Sequence, residues 1–289
     1  MNRRVVVPAL FLCAAPWLSG CQVTDAIVDC FGPHADPALT SLAQAASADA
    51  AALKELDTDA ASLRAQQAEE LYAEIERLCG RTEEGKAPRS CEVDQDVEPR
   101  EAADVSSVLG DASAATEEQL DHVAPESRAL VVAQAIALEA WNGKEPGDAP
   151  ELTPAEQDQA AELLEWEYQQ VYALDFARSY AAPDLEETID ERLTVHEHRV
   201  LELQTALEKL GAVPQPAAAY DSPDGALPHD GDSARDFIDT IAHNDTLKWT
   251  DAATRAAATA ESDSKAEATT AWRRWLIAVA AQSHRFHTA

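Results

Sequence analysis

The sequence predicts an all-α protein, and its composition and its residue spacing both support this. Alanine, glutamate and leucine are abundant among the 289 residues, whereas only ten are glycine. No stretch alternates apolar and polar residues as a half-buried strand would. Apolar residues instead recur every three or four positions, which is the spacing of one face of a helix. One such stripe consists of Leu63, Ala68, Leu71, Ile75 and Leu78.

Two helices are predicted in the first third of the chain. The first begins at Pro37 and runs to about Leu56, and the second runs from Thr58 to Cys79, where a glycine follows. The short connection between them favours an antiparallel hairpin. Residues 37–91 are therefore predicted to form a small helical hairpin domain that contains cysteines.

Residues 92–150 are predicted to be an acidic linker followed by an apolar helix. Eleven acidic residues and one basic residue, Arg100, lie between positions 92 and 126. This composition favours a loop together with a short exposed helix. Pro125 begins the apolar helix, which continues through Trp141 and is expected to pack on the hairpin or to bridge to the next domain.

Four longer helices are predicted in residues 151–289. The first and last connections are short, whereas about twenty residues rich in proline, glycine and aspartate join the second helix to the third. This order of connections is typical of a ferritin-like four-helix bundle with one long crossover. The predicted helices are Pro154–Ala181, Asp184–Leu210, Ser233–Ala260 and Asp263–Phe286.

The N-terminus predicts export and attachment of a lipid. A positively charged start precedes an apolar run that is shorter than the roughly 20 residues of a membrane-spanning helix. The run ends in Leu18, Ser19 and Gly20 directly before Cys21, which is the pattern of a lipobox at the end of a secretory signal. Signal cleavage without lipid attachment is the alternative.

These features predict a location on the extracytoplasmic face of the bacterial cell membrane. Residues 1–20 are assigned to a signal peptide and residues 21–36 to a lipidated tether. Cys21 is the predicted lipidation site. The chain has 53 acidic and 22 basic residues and a net charge of −31, which argues against nucleic-acid binding. The same charge disfavours direct docking on anionic lipid, so acyl chains on Cys21 are expected to hold the protein at the membrane.

Three further cysteines follow Cys21 in the exported chain. Disulfides persist outside the cytoplasm, and Cys30, Cys79 and Cys91 permit three pairings. The sequence favours Cys79–Cys91, which closes a short loop. Cys30 as a partner of either residue is the alternative.

Short motifs in the bundle helices are Glu167-Tyr168-x-x-Val171-Tyr172, His196-x-x-Arg199 with Leu203, and Arg273-Arg274. Through them, residues 160–285 resemble a ferritin-like domain family of unknown function found in bacterial secreted and lipid-anchored proteins. The resemblance covers just under half of the chain. It implies the four-helix bundle but no activity, because none is established for that family.

The bundle lacks the usual di-iron motif, in which a glutamate stands three residues before a histidine on each of two helices. The residues three positions before His196, His198, His243 and His284 are Leu193, Val195, Thr240 and Ala281. The sequence therefore predicts neither an enzyme nor a resident metal or other cofactor.

A non-standard metal site remains the alternative, and its candidate ligands are Glu167, His196 and His243. The favoured interpretation is a buried Glu167 that is hydrogen-bonded to a tyrosine or an arginine, because a buried charge needs a partner. His196 and Arg199 are the expected partners from the next helix. A cluster of glutamate, aspartate and histidine at the centre of the bundle would instead favour a metal.

The predicted function is that of a lipid-anchored cell-envelope protein whose bundle is catalytically silent and has an interaction or structural role. Its protein partner is unknown. One alternative is a metal-binding or storage protein. Another is small-ligand binding between the two domains, since ligand pockets are often found at domain junctions.

Overall fold

The described structure is a computed structural model of residues 33–82, 85–211, 213–222, 226–259 and 266–288, without the side chains of residues 266–269 and 288. The predicted signal peptide, Cys21 and Cys30 lie outside these residues. Within them the protein is all-α, as predicted, and contains no strand.

Eight α-helices and two 3₁₀ turns make up the described chain. The helices are α1 (Pro37–Leu53), α2 (Thr58–Cys79), α3 (Val105–Gln119), α4 (Arg128–Asn142), α5 (Gln157–Arg178), α6 (Pro183–Glu208), α7 (Gly231–Thr259) and α8 (Ala266–Thr288). The 3₁₀ turns are Arg89–Cys91 and Pro125–Ser127. Among these helices, none has both the length and the apolar character that crossing a membrane requires.

Aspartate side chains cap the first two helices. Asp36 accepts hydrogen bonds from the backbone of Ala38 and Leu39 at the start of α1, and Asp57 caps α2 in the same way. The predicted end of the first helix at Leu56 is wrong. The helix ends at Leu53, because the chain must turn before Asp57 can take its capping position.

Turns before and after the helix explain the corrections to α5, the first bundle helix. The predicted start at Pro154 is wrong, because the Thr153 backbone N–H donates to Glu156 at 2.7 Å and closes a turn before α5 begins. The predicted end at Ala181 is wrong as well, since a turn after Arg178 leads into Pro183 at the start of α6. The predicted start at Asp263 falls outside the described residues.

The N-terminal helices form one packed group. Helices α1 and α2 pack against each other, and α3 packs on α1 and on α4. Val108, Leu109 and Ala112 of α3 are buried. The expectation of a short exposed helix in this acidic region is therefore wrong, because α3 presents an apolar face to its neighbours.

The apolar helix α4 connects this group to the C-terminal helices. It packs on α3, α7 and α8, and its Val131, Val132 and Ala135 are fully buried. The Arg128 guanidinium donates to the Ala257 carbonyl of α7 at 3.0 Å. One apolar core therefore extends from α1 through α4 to α7 and α8.

The directions of the last four helices follow from the residues that they bring together. Later residues of α5 contact earlier residues of α6, so this pair is antiparallel. The same pattern makes α7 antiparallel to α8 and to α5. Helices α6 and α7 run in the same direction, because Arg192 contacts Ile238 and, seven residues further along both helices, Arg199 contacts Asp245.

The disulfide predicted between Cys79 and Cys91 is present. It joins the end of α2 to the first 3₁₀ turn. The Pro33 carbonyl accepts a hydrogen bond from the Ser90 hydroxyl at 2.7 Å, so the start of the described chain lies beside this disulfide.

A buried ion pair holds the N-terminal hairpin together. The Arg64 guanidinium of α2 lies 2.9 Å from the Asp49 carboxylate of α1, and both side chains are 3% exposed. Arg64 also donates to Gln67, whose amide donates to the Gln134 carbonyl of α4. This network therefore connects α1, α2 and α4.

We expect Arg64→Met to lower the free energy of unfolding by about 3–5 kcal/mol, because it leaves a buried carboxylate without its main partner. Denaturant unfolding measures this loss. The control is Lys209→Met, which removes the exposed pair of Lys209 with Glu151 and should cost less than about 1 kcal/mol. Equal losses in the two variants would contradict the structural role of the buried pair.

Candidate functional site

A cluster of ionisable side chains lies buried among α5, α6 and α7. We call Glu167, His196, Arg199 and Asp245 the central cluster. Their relative exposures are 0%, 3%, 2% and 2%. Burial of this many ionisable groups is unusual, since such residues are almost never fully buried unless they are paired.

Helical periodicity places these side chains inside. The buried residues of α6 are spaced by three or four positions, and His196 and Arg199 stand in that series between Ile189 and Leu203. Glu167 takes an inward position of α5 in the same way. On each helix, the ionisable residue therefore belongs to the same inward-facing stripe as the buried apolar residues.

Both oxygens of the Glu167 carboxylate have partners. One oxygen lies 2.6 Å from Nδ1 of His196. The other accepts a hydrogen bond from the indole N–H of Trp249 at 3.0 Å. Glu167 therefore bonds to α6 and α7 from its position on α5.

Arg199 has a partner for each of its guanidinium nitrogens. Nη1 donates to Asp245 at 3.0 Å and lies 3.5 Å from the second oxygen of Glu167. Nε and Nη2 donate to the side-chain amide oxygen of Gln282 on α8, and Nη2 also donates to the Ser283 hydroxyl. The positive charge of Arg199 thus lies between the two carboxylates and connects α6 to α7 and α8.

Asp245 is held in its charged form. Burial is the largest single effect and acts to raise the pKa of this carboxyl, but the charges of Arg199 and His196 together with hydrogen bonds from Ser283 and Trp166 outweigh it. The net effect lowers the pKa. Asp245 is therefore a carboxylate at neutral pH.

The carboxylate and imidazole atoms also resemble a metal-binding set. Glu167, His196 and Asp245 each offer one ligand atom, and these atoms lie within 4.8 Å of one another. Such a convergence is the arrangement that would favour a metal. Carboxylate oxygen and imidazole nitrogen together suit Zn²⁺ and other first-row transition ions.

Two features of the geometry oppose a bound metal. The guanidinium of Arg199 already supplies a cation between the carboxylates. The 2.6 Å contact between His196 and Glu167 is shorter than the about 3.4 Å that separates neighbouring ligand atoms on one tetrahedral metal with bonds of about 2.1 Å. The arrangement in the structure is therefore that of a hydrogen-bonded ion cluster.

The sequence identified only part of this cluster. Glu167 and His196 do meet, and Arg199 lies beside them. The prediction of His243 as a candidate ligand of this set is wrong, because its exposed side chain lies on the outer face of α7, next to His287. Two residues along a helix correspond to a rotation of about 200°, so His243 and Asp245 point to opposite sides.

Asp245 was missed, although the sequence carried a signal for it. The buried residues Ile238, Ile241, Trp249 and Ala252 form the inward stripe of α7, and Asp245 stands in that series. An acidic residue at a position of an apolar stripe predicts a buried, partnered charge. The indole donor Trp166 could be recognised only from the structure, because its partner lies 79 residues away.

A charged groove of about 720 Å³ lies between α3, α4 and α8. Its lining includes Glu117, Glu139, Lys144 and Arg273. Arg273 is bound to Asp121 through two hydrogen bonds of 2.6 and 3.0 Å. This lining differs from the mostly apolar walls of typical small-molecule sites.

No protein-family model matches this chain, and no curated protein or solved structure is significantly similar to it. The resemblance of residues 160–285 to a ferritin-like domain family therefore stays a prediction.

We expect Asp245 to make the stability of the protein depend on acidic pH. Its pKa is lower in the folded protein than the about 3.9 of an unfolded chain. The stability that its charge contributes is thus present above about pH 4 and is lost as the pH falls through the folded pKa. The difference in unfolding free energy between wild type and Asp245→Asn should accordingly be largest near neutral pH and shrink below pH 4.

Denaturant unfolding of both proteins between pH 7 and pH 3 measures this difference. Asp158→Asn, at an exposed position of α5, is the control and should show a small difference throughout. A difference for Asp245→Asn that stays constant or grows on acidification would contradict the assigned charge.

Proposed function

We propose that this protein is a lipid-anchored component of the bacterial cell envelope with an interaction or structural role, and that helices α5 to α8 form a ferritin-like four-helix bundle without catalytic activity. The observation that carries the proposal is the position of Arg199. Its guanidinium lies between the two buried carboxylates, at 3.0 Å from Asp245 and 3.5 Å from Glu167. A ferritin-like metal centre would need a metal ion near those carboxylates.

The helix directions support the ferritin-like arrangement. Antiparallel pairs α5–α6 and α7–α8, with α6 parallel to α7, require a connection that returns along the length of the bundle. The chain between Glu208 and Gly231 is long enough for this, at about 3.3 Å per extended residue. An up-down-up-down bundle would instead make α6 and α7 antiparallel.

The saturated hydrogen bonding supports a structural role for the central cluster. Arg199, Glu167 and Asp245 direct their charged atoms at each other and at Trp166, Trp249, Gln282 and Ser283. Among the described residues, the buried side-chain atoms without a partner lie elsewhere, on Arg128, Glu156 and Gln170.

The anchor rests on the lipobox that ends at Cys21, and it has a direct test. We expect Cys21→Ala to move the protein from the membrane fraction to the soluble extracytoplasmic fraction, because the acyl chains that hold it at the membrane are no longer attached. Fractionation of cells that express the full-length chain measures this. Cys30→Ala is the matched control and should stay in the membrane fraction. Unchanged pelleting of Cys21→Ala would refute the anchor.

Metal binding is the second candidate function, and the convergence of Glu167, His196 and Asp245 is the observation that favours it. Elemental analysis of the purified protein separates the two candidates. We expect the purified protein to contain no transition metal whose amount falls when Glu167 is replaced. His198→Ala, at an exposed position of α6, controls for adventitious binding by histidine.

One metal ion per chain that is lost in Glu167→Gln and kept in His198→Ala would overturn the structural proposal. Circular dichroism of Glu167→Gln shows whether the variant is folded. If it is not, Asp245→Asn provides the same comparison from another helix.

A further inference from the structure

Two histidines meet on the surface where α7 and α8 pack together. The ring centres of His243 and His287 are 5.1 Å apart, and the ring planes are inclined by 53°. Both residues are exposed. They lie outside the central cluster, and nothing in the proposed function uses them.

The helix pairing brings these residues together. The Thr246 hydroxyl of α7 donates to the Ser283 carbonyl of α8 at 3.1 Å. Because the two helices are antiparallel, positions about one turn earlier in α7 and one turn later in α8 also face each other, and these are His243 and His287. The backbone therefore fixes the two imidazoles as neighbours.

The spacing of the rings suits a shared metal ion. A Zn²⁺ ion bonds to imidazole nitrogen at about 2.0–2.1 Å, and the ring centre lies roughly 1.1 Å behind that nitrogen. Two imidazoles on one tetrahedral ion would then have ring centres about 5.2 Å apart. The observed separation of 5.1 Å is close to this value.

Two further ionisable groups stand one helical turn away, one on each helix. Asp239 is exposed and precedes His243 by four residues, which places it on the same face of α7. His284 precedes His287 by three residues on α8. Burial, and after it the nearby charge of His287, lowers the pKa of His284, so the two imidazoles lie within electrostatic range.

The guanidinium of Arg192 lies near these histidines and is engaged by backbone carbonyls. The guanidinium of Arg192 donates to the Phe286 carbonyl at 2.8 Å and to the Ile238 carbonyl at 3.3 Å. Asp239 is among the acidic residues whose charge acts on it. The chain as a whole carries a net charge of −31, which favours the approach of a cation.

We propose that His243 and His287 form a surface site for one divalent transition-metal ion of the Zn²⁺ or Cu²⁺ class, with water completing the coordination. Imidazole nitrogen is a preferred ligand of these ions. Packing of two imidazoles without a metal is the opposing explanation, and it predicts no site-specific affinity.

Titration of the full chain with Zn²⁺, followed by isothermal calorimetry, tests the site. We expect one ion per chain, and an affinity that falls at least tenfold in His243→Ala and in His287→Ala. His198→Ala is the matched control, because it removes an exposed histidine of α6, and it should bind as wild type does. Unchanged affinity in either site variant, a smaller fall, or an equal fall in His198→Ala would overturn the proposal.

Electron paramagnetic resonance with one equivalent of Cu²⁺ gives an independent result. Hyperfine coupling to at least two nitrogens is expected in the wild type, with one nitrogen fewer in His287→Ala. Identical spectra would contradict the site. Neither experiment involves Glu167, so failure of the surface site leaves the account of the central cluster unaffected.

Discussion

The guanidinium of Arg199 is the group on which the arrangement of the last four helices depends. It donates to Asp245 on α7 and to Gln282 and Ser283 on α8, and it lies 3.5 Å from Glu167 on α5. A charge buried without a partner costs several kcal/mol. Rotation or sliding of any of these helices by one turn would separate Arg199 from a carboxylate. The cluster therefore stabilises the observed register of the helices and destabilises the alternatives.

Buried arginines that pair with a carboxylate also occur elsewhere in the fold. Arg64 pairs with Asp49 inside the N-terminal hairpin, and Arg273 of α8 pairs with Asp121 after α3. Both arginines are buried. Three of the buried arginines, Arg64, Arg199 and Arg273, thus lie against carboxylates, whereas the buried Arg192 donates to backbone carbonyls. The apolar helix α4 supplies the contact area between the two halves, whereas these ion pairs determine which helix faces which.

Local sequence patterns predicted a helix correctly where residues at its own ends determine where it begins and ends. The bounds of α2 were predicted as observed from Thr58 and the glycine after Cys79, although the side chain that caps the helix is that of Asp57. The inward faces of Glu167 and His196 were also predicted from their motifs. Prediction failed where a partner comes from a distant segment, since Asp245 acquires its role from Arg199 on another helix. The burial of α3 was not predicted, because acidic residues surround its small apolar face.

The most direct test of the central claim compares Arg199→Met with a triple variant that also carries Glu167→Gln and Asp245→Asn. If the guanidinium compensates the two carboxylates, Arg199→Met alone should lower the free energy of unfolding by about 3–5 kcal/mol, since both charges stay buried without it. The triple variant should recover at least half of that loss at pH 7, because no unpaired carboxylate remains. A triple variant that is as unstable as Arg199→Met, or less stable, would contradict the account.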